Sequence, residues 1–335
     1  MPGPVTLADV AREAGVSLAT ASRAINGSST RTVGAALRDR VVDAARRLGY
    51  MPDANAQAMA RGRTTSVGLL VHDVADPYFA GIAAGVTSLA DERGLMVTLA
   101  ITGHRAEREI ELVHLLRRQR ARAIVVAGSR LDGGATDARL LDALRAYRGD
   151  GGAVAVVGAP LGDLPVVEIE NRTAAAALAR ALHGIGYRRF GLLTGPEGHL
   201  TAQLRLDGLL EGLGGEAEHP VVVRTDFTRD GGHDGTLELL RRGLPEVVVA
   251  GNDVMAMGAM AALREHGLHV PDDVAVAGFD DIPTLRDVHP ALTTVHLPLE
   301  EVGRAALRAA LDEGTARDAL IEGQVVLRES TPSRA

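Results

Sequence analysis

The residues of this chain best suited to chemistry fall into two groups. One group is spread along the body of the sequence: His72, Asp76, Tyr78, Phe79, Ser129, Arg205, Asn252, Asp253, Phe279 and Asp280. Carboxylates accept hydrogen bonds, Arg donates them, and Asn, Ser and His do both. Together they can satisfy hydroxyls, which also do both. Tyr78 and Phe79 add flat apolar faces. A concave site lined in this way suits a sugar or a nucleoside. Some of these residues have a second reading: Asp253 could cap a helix, Phe279 could be core, and His72 could be a buried, satisfied histidine. The other group lies near the start of the chain. Thr6, Ser17, Thr20 and Ser22 carry hydroxyls suited to phosphate oxygens, which set register without reading sequence. Arg23 can fork onto guanine O6 and N7, and Leu18 and Ala19 can touch thymine methyls, if a helix carries them into a major groove.

Other chemistries lack their residues. There is no Cys, so disulfides, thiolate metal sites and thiol nucleophiles are excluded. A Gly-x-Gly-x-x-Gly turn between strand and helix is missing. All 36 basic residues are Arg, so a phosphate loop of the Walker type has no Lys. His-Glu-x-x-His and Gly-x-Ser-x-Gly do not occur. His266 and His269 stand three apart without a third ligand. Asp280 and Asp281 are adjacent and would point apart on an extended chain, so paired acid–base work is unsupported. The remaining histidines are scattered. We therefore expect no catalytic residue, no metal and no cofactor: a binding protein and not an enzyme.

Both groups need elements to position them. Thr6-x-x-Asp9 has the form of a capping box, and Leu7, Val10, Ala11 and Ala14 follow with helical spacing. Gly15 breaks that helix. Ser17 can cap a second one over about 18–25, with Ala21, Ala24 and Ile25 inward, and Asn26-Gly27 ends it. A third, about 35–48, sets Leu37, Val41, Ala44, Ala45 and Leu48 on one side, and Gly49 closes it. Helix, glycine turn and helix make a helix-turn-helix whose second helix would enter the groove by its N-terminal end. The plainer alternative is a solvated three-helix cap with Arg23 merely exposed. Residues 50–65 begin extended at Tyr50-Met51-Pro52. Asp53 can then cap a helix-prone run in which Met59 is the only large apolar residue. So short a helix needs a partner to fold against.

From Val67 the pattern changes to apolar strands alternating with amphipathic helices. Strands are expected at 67–71, 95–101, 123–127, 153–157, 166–169, 189–194, 220–223, 246–250 and 274–278. Helices are expected at 78–92, 105–119, 172–185, 201–213, 231–242, 254–266 and 299–312. This alternation predicts an α/β fold of parallel sheets flanked by helices. The segment is long for one such sheet, so two lobes with a cleft are expected. Asp76, Ser129, Asn252, Asp253 and Asp280 follow strand ends, where open parallel sheets bind ligands. Arg205 falls near the start of a helix.

Charge separates the two parts. The net charge is −7, yet residues 1–65 hold nine Arg against five carboxylates, a local +4 that leaves −11 on the remainder. A basic end on an acidic body suggests that one end meets a polyanion. With 46% hydrophobic residues the body can be well cored. The N-terminus shows no secretory pattern, and no apolar run is long enough to span a bilayer, so a cytoplasmic location is expected.

The N-terminal run VTLADVAREAGVSLATASRAINGSS, with LRDRVVDAARRLGYMPDANAQAMARG after it, resembles the start of lactose-repressor (LacI/GalR) family regulators. Thr6, Asp9, Val10, Ala11, Ala14, Gly15, Val16, Ser17, Thr20, Ser22, Arg23, Asn26, Leu48, Gly49, Tyr50 and Pro52 all match the family pattern. Further landmarks are Asp76-Pro77-Tyr78-Phe79, Glu170-Asn171, Arg205-Leu206-Asp207-Gly208, Asn252-Asp253, Gly278-Phe279-Asp280-Asp281 and Pro290-x-Leu292-Thr293-Thr294-Val295. The resemblance covers nearly all of 5–330. There are departures. Ala21 stands where Val is usual, Gly34 where a capping Ser is usual, Asp53 for Asn and Glu170 for Asp. The loop after Asn26-Gly27 is longer than common.

The resemblance implies a headpiece over 1–49, a hinge helix over 50–65, and a core over 66–330 like a periplasmic sugar-binding protein, with a tail at 331–335. Lobe 1 would hold about 66–163 and 295–322, and lobe 2 about 164–294 and 323–330. Arg205, Asn252 and Asp280 match the strongest effector contacts, with Tyr78, Phe79 and Asp76 next. Met59 matches the hinge residue that wedges into the minor groove. Asn26, Tyr50, Asn55 and Arg61 are further DNA contacts on this reading. The partners implied are operator DNA, a sugar or nucleoside-like effector, and a second copy of the chain, in a nucleoid-associated repressor. The surface 78–92 with part of 105–119 is the expected dimer face. No heptad tail follows Ser330, which favours a dimer over a tetramer. A solute-binding protein or an effector-free DNA binder would each leave half of these features unused.

Overall fold

The first helix begins at a reciprocal cap. The Thr6 hydroxyl accepts from the Asp9 amide, and the Asp9 carboxylate accepts from the Thr6 amide at 3.0 Å. That fixes α1 over Leu7–Glu13. Gly15 takes φ +63° and turns the chain into α2, Leu18–Asn26. Ser17 opens α2 by accepting from the Thr20 amide at 3.2 Å. α3 runs over Ala35–Leu48 and stops at the left-handed Gly49, while Gly34 gives its start no side-chain cap. Val10, Ala11, Ala14, Ala21, Ala24, Val41 and Ala44 form the core of this three-helix unit. Most are Ala, so the helices meet closely but bury little apolar area.

The structure, a computed structural model, describes residues 5–26, 33–51, 63–128, 130, 135–214, 219–312 and 318–334. It divides the chain into two units, Met1–Thr65 and Ser66–Ala335. Asn55, Met59, Arg61 and Ser129 lie outside the described residues, as does most of the expected hinge.

The second unit runs β1 (Ser66–Val71), α4 (Pro77–Glu92), β2 (Met96–Ile101), α5 (Ala106–Arg118), β3 (Ala123–Ala127), α6 (Ala135–Gly149), β4 (Ala153–Val157) and β5 (Val166–Ile169). It continues with α7 (Asn171–Gly184), β6 (Phe190–Thr194), α8 (Leu200–Leu213), β7 (Val221–Arg224), α9 (Arg229–Arg242), β8 (Val247–Ala250), α10 (Asp253–Glu265) and β9 (Ala275–Ala277). A 3-10 turn (Pro283–Asp287), β10 (Thr294–His296), α11 (Leu299–Leu311), β11 (Asp318–Ile321) and β12 (Gln324–Val326) complete it.

Two parallel sheets result. The first has six strands in the order β11-β5-β4-β3-β1-β2, and the second four in the order β7-β6-β8-β9. Central strands such as Ala123–Ala127 and Val247–Ala250 are apolar throughout because both faces are covered by helices. The third pairing, β10 with β12, is antiparallel and lies where the chain crosses between the lobes.

Two boundaries differ from expectation. β5 pairs with β4 and β11 in the first sheet, so the first crossing comes after Ile169 and not near 163. An isolated Val-Val-Glu-Ile strand reads the same in either sheet; only its pairing assigns it. The last residues are not a free tail. Thr331 bonds Thr293 hydroxyl to hydroxyl at 2.6 Å, and the Arg334 amide donates to the Ile185 carbonyl at 2.8 Å. Among the described residues no helix is long and apolar enough to cross a membrane.

Candidate functional site

The N-terminal unit presents the start of α2. Ser17, Leu18 and Ala19 are exposed there, Leu18 by 54%. Arg23 donates its Nε to the Ala19 carbonyl at 2.9 Å, one turn back. That bond anchors the guanidinium and, among the described residues, leaves its terminal nitrogens for a partner. The Ser17 and Thr20 hydroxyls bond each other at 2.8 Å, and Asn26 donates to the Ser22 hydroxyl at 3.3 Å. Thr6 spends its hydroxyl on Asp9 at 2.6 Å, so its first role is the cap. Tyr50 is half-buried against the helix core.

The second unit holds a cleft of about 610 Å³, part of it open to solvent. The first sheet's side contributes His72 and Asp73 beyond β1, then Asp76, Tyr78 and Phe79 as α4 begins. Asp76 caps α4 by accepting from the Tyr78 amide at 2.9 Å. Burial raises its carboxyl and also raises the Tyr78 hydroxyl, which stays a donor. His72 bonds the Thr102 hydroxyl through Nδ1 at 2.8 Å, stacks on His104 at 4.6 Å and meets Phe79 edge-on at 5.8 Å. A side chain at Gly128 would strike the His72 imidazole.

The second sheet's side is built around Arg205 on α8. Its Nε donates to Asn171 at 2.8 Å, Nη1 to the Gly251 carbonyl at 2.6 Å and Nη2 to Asp280 at 2.8 Å. The guanidinium also lies over the Phe279 ring, 3.8 Å from its centroid. Arg205 is 5% exposed and Asp280 3%. Such a pair is costly to bury and is tolerated because each group is bonded. Burial pushes the Asp280 carboxyl upward and Arg205 pulls it back. Asp280 sits at φ +115°, held by its amide on Val295 at 2.9 Å. Backbone strain at a cleft-facing residue needs such bracing. Asn252 spends its side-chain oxygen on the Met255 amide at 2.9 Å, capping α10, which leaves its NH₂ as a donor. Arg205, Asn252, Asp280, Asp76, Tyr78, Phe79 and His72 thus line one cleft.

Two expected members do not. Asp253 is fully buried and accepts from the Thr294 hydroxyl at 2.6 Å and the Ile282 amide at 2.9 Å. It braces α10 to the crossing strand, and burial raises its carboxyl. Phe279 is core, the plate beneath Arg205. No group of three or more metal-ligating side chains occurs among the described residues.

The arrangement has relatives. The model of "Bacterial regulatory proteins, lacI family" matches residues 6–53, and that of a periplasmic binding protein-like domain matches 179–331. The HTH-type transcriptional repressor CytR of Escherichia coli (strain K12) is 32% identical over 337 residues, covering 97% of this chain and 96% of its own. The chain belongs to the LacI family. HTH-type transcriptional regulator GalS of Salmonella typhimurium is 35% identical over 311 residues, 92% of this chain and 89% of that one. Among solved structures, a Lac repressor dimer bound to operator and the anti-inducer ONPF aligns with TM-score 0.84 at 26% identity, covering 98% and 100% of the two chains. A transcriptional regulator CelR–cellobiose complex aligns with TM-score 0.70 at 32% identity, covering 97% and 99%.

This LacI-family chain also brings residues into its cleft that the sequence reading passed over: Asp73, His104, His199, Thr201, Phe227 and Thr228. The signal was available. His104 follows β2, His199 and Thr201 follow β6, and Phe227 and Thr228 follow β7. Each stands beyond the carboxyl end of its strand, as Asp76, Asn252 and Asp280 do beyond β1, β8 and β9.

Proposed function

We propose that this LacI-family regulator binds a pseudo-palindromic operator as a homodimer and represses transcription under control of a small polyhydroxylated effector, a sugar or nucleoside, in its cleft. The observation that carries the reading is the Arg205–Asp280 pair, with Asn252 and Asp76, facing a cleft in a chain that starts with a helix-turn-helix. Hydroxyls that donate and accept are what such a set can satisfy. Ser17, Leu18 and Ala19 at the start of α2, with Ser22 and Arg23 one turn on, would enter the major groove. The hinge, with Met59 as wedge and Asn55 and Arg61 beside it, would order on the operator's centre. The effector would act by its unequal affinity for two angles between the lobes.

The dimer face we favour is shifted from the one expected. α4 turns Phe79, Ile82, Val86 and Leu89 into its own lobe. The edge strand β2 instead exposes Met96, Leu99 and Ile101. An apolar edge strand of this kind calls for a cover, and a second copy of the chain would supply one; the aligned Lac repressor structure is a dimer. The site of action would be the cytoplasm, at the nucleoid.

Selection of bound duplexes from a random pool, with and without a panel of sugars and nucleosides, tests the proposal. A recovered palindrome with a flexible central pyrimidine–purine step, changed in yield by one compound, is the expected result. Arg23→Ala should relax the choice at one base pair per half-site. No enriched sequence from folded protein would overturn the reading.

A further inference from the structure

Besides the Arg205–Asp280 pair, the second lobe brings a differently built group into the cleft. His199 immediately precedes α8, and Phe227 and Thr228 precede α9. His199 is 9% exposed, yet its side chain makes no hydrogen bond among the described residues, and its Nδ1 is sealed without a partner. A buried polar atom left unpaired calls for an explanation. Burial and the nearby His72, His104 and Arg205 push the imidazole down to about 4, so the ring is neutral. A neutral ring carries one N–H and one lone pair. Orphaned N–H groups are rarer than under-satisfied acceptors, which assigns the lone pair to the sealed Nδ1 and the proton to Nε2. His199 then offers the cleft one donor.

Phe227 stands edge-on to His199, with ring centroids 5.0 Å apart. A Cβ on Gly195 or on Gly251 would overlap the Phe227 ring, so glycine at both positions lets it sit there. The chain has only four Phe. Two of them, Phe79 and Phe227, line this cleft, and a third, Phe279, supports its Arg205. In so aromatic-poor a sequence that concentration points to a flat ligand. A sugar ring needs hydrogen-bond partners around its whole rim. This part of the wall offers an aromatic ring and, from His199, one donor. A planar heterocycle, with apolar faces and an in-plane acceptor, matches it better.

We propose that His199 and Phe227 form a subsite for an uncharged nitrogen heterocycle, so that the effector is a nucleoside. Its pentose hydroxyls meet Arg205, Asp280 and Asn252, and an acceptor atom of its base takes the His199 N–H. The inference rests on the reading of the cleft as the effector site.

The test is calorimetric titration of the full-length protein with adenosine, guanosine, cytidine, uridine and thymidine, and with ribose, glucose and cellobiose. At least one nucleoside should bind about a hundredfold more tightly than ribose. His199→Ala should weaken that nucleoside about tenfold and leave ribose unchanged, because one hydrogen bond to the base is lost. His199→Gln, which keeps a donor, should recover part of the loss. Circular dichroism confirms that each variant is folded. Glucose or cellobiose binding more tightly than every nucleoside overturns the proposal, and so does nucleoside binding by His199→Ala within about twofold of the parent. If a sugar binds and Asp280→Asn abolishes it, the cleft reading stands and only the base subsite falls. If folded protein binds nothing, both fall.

Discussion

Glu109 shows how a single buried group sets the response to pH. It lies on α5, 5% exposed, and burial pushes its carboxyl up to about 7, with Asp137 adding to the rise and Arg130 opposing it. A raised folded-state value means that the native protein binds the proton more tightly than the unfolded chain does. Stability is then fully present below about 4.5 and is lost as pH rises through about 7. His199 has the opposite sign. Its value falls to about 4, so its neutral form gains stability as pH climbs from about 4 to 6.5. The two slopes overlap and partly cancel in the parent protein. Glu109→Gln removes one of them. In urea denaturation the variant should gain about 2 kcal/mol more at pH 8 than at pH 5, the equivalent of the titration it no longer undergoes. Equal gains at both values would show that ionised Glu109 is not the cost.

At the scale of elements, the weakest joint among the headpiece helices is the start of α3. Gly34 provides no side-chain cap, has φ −58°, and has nothing near the position a Cβ would take. Serine there can accept from an α3 amide and also lowers the entropy of the unfolded chain. Gly34→Ser should stabilise α3 by about 0.5–1 kcal/mol. Amide exchange in α3 should then slow about two- to fivefold, and unchanged exchange would mean that the helix start is held by something other than its cap. Helices and central strands were legible in the sequence because their periodicity is local. Thr6-x-x-Asp9 and Asp76-Pro77 mark helix starts by chemistry alone. The lobe of β5 was not legible: the strand is short, and it joins the first sheet by pairing with β4 on one side and with β11, more than a hundred residues on, on the other. The site was legible where one residue type does one job, as at Arg205 and Asp280. It failed at Asp253, which follows Asn252 directly. Asn252 caps the helix from outside, while Asp253 begins it and turns inward to Thr294.

At the scale of the molecule, the proposed effector would act by changing the angle between lobes, and the three chain crossings, after β5, at β10 and between β11 and β12, would limit how. Asp280 faces the cleft, and its neighbour Asp281, at φ +57°, faces the crossings. Asp281 accepts from Arg328 at 2.7 Å and bonds His296 on β10 at 3.0 Å. Arg328 in turn donates to the Leu292 carbonyl at 2.9 Å, and its amide donates to Thr293 at 2.7 Å. Arg328 follows β12, which pairs with β10, so this cluster ties the second and third crossings to the residue beside the cleft-lining Asp280. Asp280 and Asp281 are adjacent, both at positive φ, and each is held by hydrogen bonds, as strained residues need to be. On the proposed reading, a shift of Asp280 on binding would reach the crossings through Asp281. Arg328→Ala cuts the link without touching the cleft. Effector affinity should stay within about threefold of the parent, whereas the factor by which effector changes operator affinity should fall by half or more on a logarithmic scale, from a coupling of about 1–3 kcal/mol. Titration of operator DNA with and without effector measures that factor in both proteins. A coupling factor unchanged in Arg328→Ala would make the crossings passive hinges and place the transmission in the lobes' facing surfaces.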